Sequence, residues 1–113
     1  MITVEKLKSF GADTEDGIAR CLDDEGFYLM LVQSAVTDEQ ISALEKQITE
    51  KKLDSAFETA HALKGVYANL SLTPLYEIIC EITEHLRSRD DVDYTPLTSK
   101  LDSSMNQLIA LSC

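Results

Sequence analysis

Three residues in one short stretch of the sequence have side chains suited to the transfer of a charged group. His61, Lys64 and Gly65 lie in the segment FETAHALKGVYANLS, residues 57–71, which has the apolar spacing of an amphipathic helix. Histidine forms covalent intermediates, and a lysine one turn away can neutralise a transferred anion such as a phosphoryl group. Glycine costs roughly 1 kcal/mol relative to alanine inside a helix. Its presence therefore suggests that space is needed beside the imidazole.

The spacing of apolar residues places this histidine away from the core. The predicted core stripe consists of Leu53, Ala56, Phe57, Ala60, Leu63, Tyr67 and Leu70. At about 100° per residue, His61 lies roughly 130° from the centre of that stripe. Lys64 and Gly65 follow it one turn later, and Ala68 continues the same strip. The small residues would let the surface of another protein approach the imidazole.

The rest of the chain reads as two short helices followed by four long ones. The predicted ranges are 3–9, 14–21, 25–51, 53–70, 73–89 and a last helix that reaches residue 111. Thr14 and Thr73 are predicted to cap their helices, with Pro74 at a first helical position. The segment 25–51 is predicted to be a single helix, bent near 36–40, where Thr37 and Asp38 could instead start a new one.

Short connections between long helices favour antiparallel neighbours. The predicted fold is therefore all-α, an up-down antiparallel four-helix bundle whose two short N-terminal helices cover one end. The whole chain, residues 1–113, is expected to form a single domain.

Composition narrows the class of function. The formal net charge of −10 disfavours binding to nucleic acid or to anionic membrane surfaces. No apolar run approaches the roughly 20 residues that a membrane span needs. The three cysteines, Cys21, Cys80 and Cys113, form no paired spacing, which favours a reducing compartment, and we expect a cytoplasmic monomer.

The motif AHALKG, residues 60–65, resembles the H-x-L-K-G motif of the histidine-containing phosphotransfer (HPt) domains of two-component phosphorelays. Asn69 and Leu70 fit the continuation of that motif, and Leu75 fits an apolar position on the next helix. The segment GADTEDGIARCLDDEGFYLMLV is similar to the family's N-terminal stretch. The resemblance thus covers roughly residues 8–88, and the predicted bundle is also the fold of this family.

The resemblance implies a role for each residue of the strip. His61 would be phosphorylated through Nε2, Lys64 would stabilise the phosphoryl group, and Gly65 would give the partner room. The implied partners are response-regulator receiver domains and a hybrid sensor histidine kinase, with Mg²⁺ supplied by the receiver. No glycine-rich nucleotide loop is present, so we expect a phosphocarrier rather than an enzyme with kinase activity.

Three residues depart from the pattern of the family. Ser71 stands where a glycine is usual, and Val66 and Tyr67 stand where small residues are usual. Tyr67 falls on the core side of the helix and would alter packing only. Val66 could alter partner fit.

A docking surface around His61 is expected to include Gly65, Ala68 and, from the N-terminal cover, Ile18 and Leu22. For these last two residues, core packing is an equally open interpretation. Met1 is the one feature that favours an independent protein over a segment of a larger hybrid kinase.

Two other classes of protein stay open. One is a non-catalytic adaptor bundle with a decayed histidine site. The departures from the family pattern at Val66 and Ser71 support this alternative. The other is a metal- or cofactor-binding bundle. His85 could serve such a site, but Ile82 occupies the position where a Glu-x-x-His pair would need a carboxylate. We therefore interpret His85 as a boundary residue, Cys80 as a packing residue, and the strip as having no metal ligands.

Overall fold

Helices and turns account for all of the chain that the computed structural model describes, residues 2–112; Met1 and Cys113 lie outside this range. The helices are α1 (Val4–Phe10), α2 (Thr14–Arg20), α3 (Glu25–Thr37), α4 (Gln40–Thr49), α5 (Leu53–Asn69), α6 (Thr73–Arg87) and α7 (Thr95–Ser112). No strand occurs among these residues, which confirms the all-α class. None of these helices combines the length and the apolar character that crossing a bilayer would require.

The prediction of one helix over 25–51 is wrong, because α3 ends at Thr37 and α4 begins at Gln40. Asp38 has extended backbone angles, φ −73° and ψ 139°. Its carboxylate accepts a hydrogen bond from the backbone N–H of Gln40 at 3.1 Å. A short acidic side chain that satisfies a free N–H at a helix start favours a restart over a continuous helix.

Two predicted caps are displaced by one residue. Asp13 caps α2, since its carboxylate accepts a hydrogen bond from the backbone N–H of Asp16 at 3.2 Å, and Thr14 is the first helical residue. Leu72 precedes α6 without a side-chain cap, so Thr73 is helical and Pro74 occupies the second position. Pro74 is tolerated there because the first N–H groups of a helix have no partner within the helix.

Helical spacing of the apolar residues predicts that α3 buries Phe27, Met30 and Leu31, but its buried face is a different one. The residues that it buries are Tyr28, Val32 and Ala35, whereas Met30 is 57% exposed. Residues 27–32 of α3 are all apolar, so periodicity alone does not fix which side faces inward. The hydroxyl of Tyr28 donates a hydrogen bond to the carbonyl of Leu70 at 2.9 Å, which fixes this face against the end of α5.

The helices from α4 onward pack against their sequence neighbours, and α4 also contacts α7. α5 contributes Ala56, Ala60, Leu63 and Tyr67 to the core. The predicted core residues Leu53 and Phe57 are only half-buried.

The short helices are attached near the turn that joins α5 to α6. The backbone N–H of Asp13 donates to the carbonyl of Ser71 at 3.0 Å, and α1 packs on α7. Gly11 ends α1 in a left-handed conformation, φ 110°, as its position after the last apolar residue predicts. α2 therefore lies at the C-terminal end of α5.

Candidate functional site

The outer strip of α5 is formed by His61, Lys64, Gly65 and Ala68. His61 and Gly65 are exposed, and Lys64 and Ala68 are half-buried. The helix buries its opposite face, which includes Leu63. His61 thus points away from the core, as the spacing predicts.

The imidazole of His61 lies beside one aromatic ring. Its ring stacks on Phe57 with centroids 5.8 Å apart and an angle of 21° between the planes. Within residues 2–112, neither ring nitrogen has a hydrogen-bond partner. Both nitrogens are therefore available to an incoming group.

The second histidine is held quite differently. Nδ1 of His85 lies 2.9 Å from a carboxylate oxygen of Asp90, and the ring meets Tyr94 edge-on at 6.2 Å. The side chain is half-buried, in agreement with its interpretation as a boundary residue. Among the described residues, no three His, Cys, Asp or Glu side chains cluster as metal ligands would. His61 is thus the freer nucleophile of the two.

Three basic residues lie near the stacked rings in the structure or along the helix. Lys64, one turn after His61, forms no ion pair within the described part of the chain. The guanidinium groups of Arg87 and Arg89 lie over Phe57, with Cζ 5.2 and 5.4 Å from the ring centroid. An unpaired ammonium can neutralise an anion that arrives at the imidazole.

The carboxylate of Asp54, on the same side of α5, is already engaged. Asp54 Oδ1 accepts from Arg89 Nε at 2.7 Å and lies 2.6 Å from its Nη2. Asp54 is therefore committed to an ion pair at the N-terminal end of the helix, two turns from His61.

Gly65 faces empty space. A Cβ built on this residue would meet nothing within 4 Å. Close packing between helices therefore does not explain the glycine, and the open surface that it leaves lies beside the imidazole.

The predicted docking residues are placed in different environments. Leu22 is 83% exposed, so core packing is excluded for it, whereas Ile18 is half-buried and packs against the core. Ala68 borders a depression that it shares with Arg20 of α2 and Tyr76 of α6. The strip on α5 is thus continuous with α2 at the end near Ala68, about 10 Å along the helix axis from His61.

The departure at Ser71 is accommodated by the end of α5. Ser71 has a left-handed backbone, φ 51°, in a turn where the N–H of Leu72 bonds to the carbonyl of Tyr67 at 3.0 Å. Glycine is favoured at such a position. The hydroxyl of Ser71 donates to Asp16 at 2.5 Å and, with Arg20, holds the pKa of that carboxyl below its ordinary value.

The other two departures lie where the sequence suggests. Tyr67 is buried, 1% exposed, and Val66 is 38% exposed. Val66 is therefore open to contact with another protein, whereas Tyr67 belongs to the core.

Sequence reasoning missed the surroundings of the imidazole. Apolar spacing places Phe57 in the core stripe, whereas its spacing of four residues from His61 predicts contact between the two side chains on one helix face. Arg87 and Arg89 come from the end of α6 and the turn after it. Their approach to Phe57 depends on how α5 and α6 pair, which no local pattern reveals.

Comparison with known proteins agrees with this arrangement. A family model described as Hpt domain matches residues 31–111. The chain is also 32% identical over 89 residues to the protein named Phosphotransferase RcsD from Escherichia coli (strain K12), a match covering 78% of this chain. The chain spans about a tenth of that relative, since the match covers 10% of its length. No solved structure matches. The family match covers well over half of the chain, which therefore belongs to the Hpt domain family.

Proposed function

We propose that this chain is a histidine phosphocarrier in a phosphorelay, with His61 as the residue that carries the phosphoryl group. The observation that carries the proposal is the state of the imidazole. It is exposed, both ring nitrogens lack partners among residues 2–112, and it stands between an unpaired Lys64 and the open surface at Gly65. Membership of the Hpt family supports the same role.

The proposed reaction consists of two phosphoryl transfers, one from a receiver domain to His61 and one from His61 to a second receiver domain. A ring nitrogen of His61, Nε2 by family resemblance, attacks the phosphorus of a receiver's aspartyl phosphate. The P–O bond breaks, the aspartate carboxylate leaves, and the other ring nitrogen releases its proton to solvent. A second receiver's aspartate then attacks the phosphorus, the other ring nitrogen takes a proton back from solvent, and the P–N bond breaks to release neutral imidazole. Lys64 neutralises charge on the transferred group in both directions.

The partners and the cofactor follow from this chemistry. We propose receiver domains and a hybrid sensor histidine kinase as partners, with the surface of Ala68, Ile18 and Leu22 as the docking region. The metal is proposed to be Mg²⁺ bound by the receiver, as the family resemblance implies. The chain itself would act as a carrier, without kinase activity of its own.

The architecture and setting are part of the same proposal. We propose an up-down bundle of four helical segments that acts as one monomeric domain. The first segment is α3 together with α4, and the other three are α5, α6 and α7. The free thiols of Cys21 and Cys80 suit a reducing compartment such as the cytoplasm.

The test is transfer of label from a phosphorylated receiver in the presence of Mg²⁺. We expect acid-labile, base-stable label on the chain, its loss in His61→Gln, and its retention in His85→Gln. His85 is a matched control because it is the other histidine and is bound to Asp90. Label that persists in His61→Gln would contradict the assignment. Absence of label with several receivers would favour a non-catalytic adaptor.

A further inference from the structure

The side chain of His61 has an aromatic neighbour on its own helix. A histidine on an exposed helix face has several rotamers in χ1 and χ2. Nucleophilic and general-base histidines are commonly oriented by a hydrogen bond to one ring nitrogen, but neither nitrogen of His61 has one within residues 2–112. The ring contact that the structure shows is the stack on Phe57, 5.8 Å between centroids at 21°.

Phe57 is itself held in place from the side of α6. Arg87 and Arg89 place their guanidinium groups 5.2 and 5.4 Å from the centre of its ring. Arg89 is fixed in turn, since it pairs with Asp54 at 2.6 Å and donates to the carbonyl of Leu86. Phe57 is also half-buried against the core. A ring held on these sides is a stable surface for the imidazole.

We propose that Phe57 is a positioning residue for His61, and that it fixes the imidazole in the orientation from which phosphoryl transfer occurs. This inference rests on the function proposed above. The nitrogen lone pairs lie in the plane of the imidazole, so a partner ring stacked on its face leaves them open while it restricts rotation. Alignment of a nucleophile with the reacting phosphorus is a major contribution to such a transfer.

The same contact favours the transition state over the resting state. As the ring nitrogen bonds to phosphorus, the imidazole gains positive character before it loses its other proton. A cationic ring is attracted to the face of an aromatic neighbour more strongly than a neutral one. Interactions that strengthen in the transition state raise the rate of the chemical step.

The experiment measures transfer from a phosphorylated receiver to Phe57→Leu in single turnovers, over a range of receiver concentrations. We expect the limiting rate to fall about three- to tenfold, which is the range that loss of one aromatic pair allows. The half-saturating receiver concentration should stay unchanged, because the substitution alters orientation and not docking. Phe57→Tyr, which restores an aromatic face, should recover the rate. Phe57→Met offers a second replacement without a ring if the leucine variant fails to fold.

A second readout follows the stack itself and does not depend on phosphotransfer. The ring current of Phe57 shifts the proton resonances of the His61 imidazole, and Phe57→Leu should remove this shift while Phe57→Tyr retains it. Phe27→Leu is the matched control, because Phe27 is a half-buried aromatic residue on α3. It should change neither the His61 resonances nor the limiting rate.

Several results would overturn the positioning role. These are a wild-type limiting rate in Phe57→Leu, unchanged His61 resonances in that variant, an equal fall in rate in Phe27→Leu, or a change confined to the half-saturating concentration. Failure of the wild-type chain to accept label would overturn the proposed function as well. Loss of the positioning role alone appears as full label on His61 at an unchanged rate.

Discussion

Gly17 and Gly65 both lie inside helices, but the space around them is opposite in kind. A Cβ on Gly17 would lie 2.5 Å from a ring carbon of Tyr28 and 2.9 Å from the carbonyl oxygen of Leu70. A Cβ on Gly65 would meet nothing within 4 Å. The first glycine is required by the chain's own packing. Packing within the described residues does not require the glycine at position 65, so we attribute it to contact with a partner protein.

The two regions also differ in how their polar groups are used. Around Gly17, the hydroxyl of Tyr28 bonds to Leu70, and that of Ser71 bonds to Asp16. Around Gly65, the nitrogens of His61 have no partner within the described residues. A junction that satisfies its groups internally stabilises the fold, whereas a strip that leaves them free is suited to chemistry with another molecule.

The largest expected effect on stability comes from Gly17→Ala. A clash with a ring and a backbone carbonyl belongs to the upper part of the range of about 1–3 kcal/mol for overpacking. Helix propensity offsets about 1 kcal/mol of this, so we expect the free energy of unfolding in urea to fall by about 2 kcal/mol. Gly26→Ala is the control, because its Cβ would meet Asp24 at an ordinary 3.5 Å. Equal effects in both variants would contradict the difference in packing.

Tyr28→Phe should destabilise the same junction to a smaller extent. The variant keeps the buried ring but leaves the carbonyl of Leu70 without its donor, which costs about 1–1.5 kcal/mol. Burial raises the pKa of Tyr28 to about 12, so the hydroxyl remains a donor at neutral pH. Urea unfolding measures the loss, and phosphotransfer to His61 should be unchanged once the variant is folded. A loss of transfer without a loss of stability would show that the junction around Gly17 contributes to phosphotransfer, and would contradict the separate roles of the two regions.

Gly65→Ala should have the opposite sign in stability. The exposed methyl group meets no neighbour, so the gain in helix propensity should raise the free energy of unfolding by about 1 kcal/mol. Transfer from a receiver should weaken by about tenfold, since a methyl group placed in a close interface costs at least 1 kcal/mol.

The control for this variant is Ser55→Ala, an exposed position of α5 on the side away from the strip. It should improve helix propensity slightly and leave transfer unchanged. If Gly65→Ala transferred as fast as the wild-type chain, clearance for a partner would no longer explain the glycine.

The smallest effect is expected at Ser71, and it depends on pH. The hydrogen bond from Ser71 is the main cause of the lowered pKa of Asp16, with Arg20 second. A lowered pKa in the folded state stabilises the protein above the ordinary value of 3.8, and this contribution is lost as the pH falls through the folded value. Ser71→Ala should therefore be less stable than wild type at pH 7, with the difference vanishing in acid. A difference that is constant with pH would contradict the role of Asp16.

The same contrast explains which features the sequence predicts. The helical class, the exposed position of His61 and the buried position of Tyr67 follow from the period of one helix, and the structure agrees with each. The break between α3 and α4 was open to prediction, since Asp38 was recognised as a cap, but the apolar spacing on both sides favoured continuity. Local patterns report how one helix is built and which of its faces is apolar.

Local sequence patterns do not predict which residues of different helices come into contact. Nothing in the sequence near Gly17 indicates that Tyr28 and Leu70 converge on it, and nothing near Phe57 indicates that Arg87 and Arg89 lie over its ring. These contacts depend on the register in which helices pack, which is set by the sum of many side chains. The approach of the two arginines to the candidate site escapes local patterns for this reason, whereas the exposed position of His61 does not.

The central claim is that His61 is the residue that carries the phosphoryl group. The most direct measurement is mass mapping of the chain after incubation with a phosphorylated receiver and Mg²⁺, under alkaline conditions that preserve phosphohistidine. We expect a single phosphoryl group on the peptide that contains His61, removed by acid and by addition of unphosphorylated receiver. A phosphoryl group found on His85, or a chain that stays unmodified with every receiver tested, would contradict it.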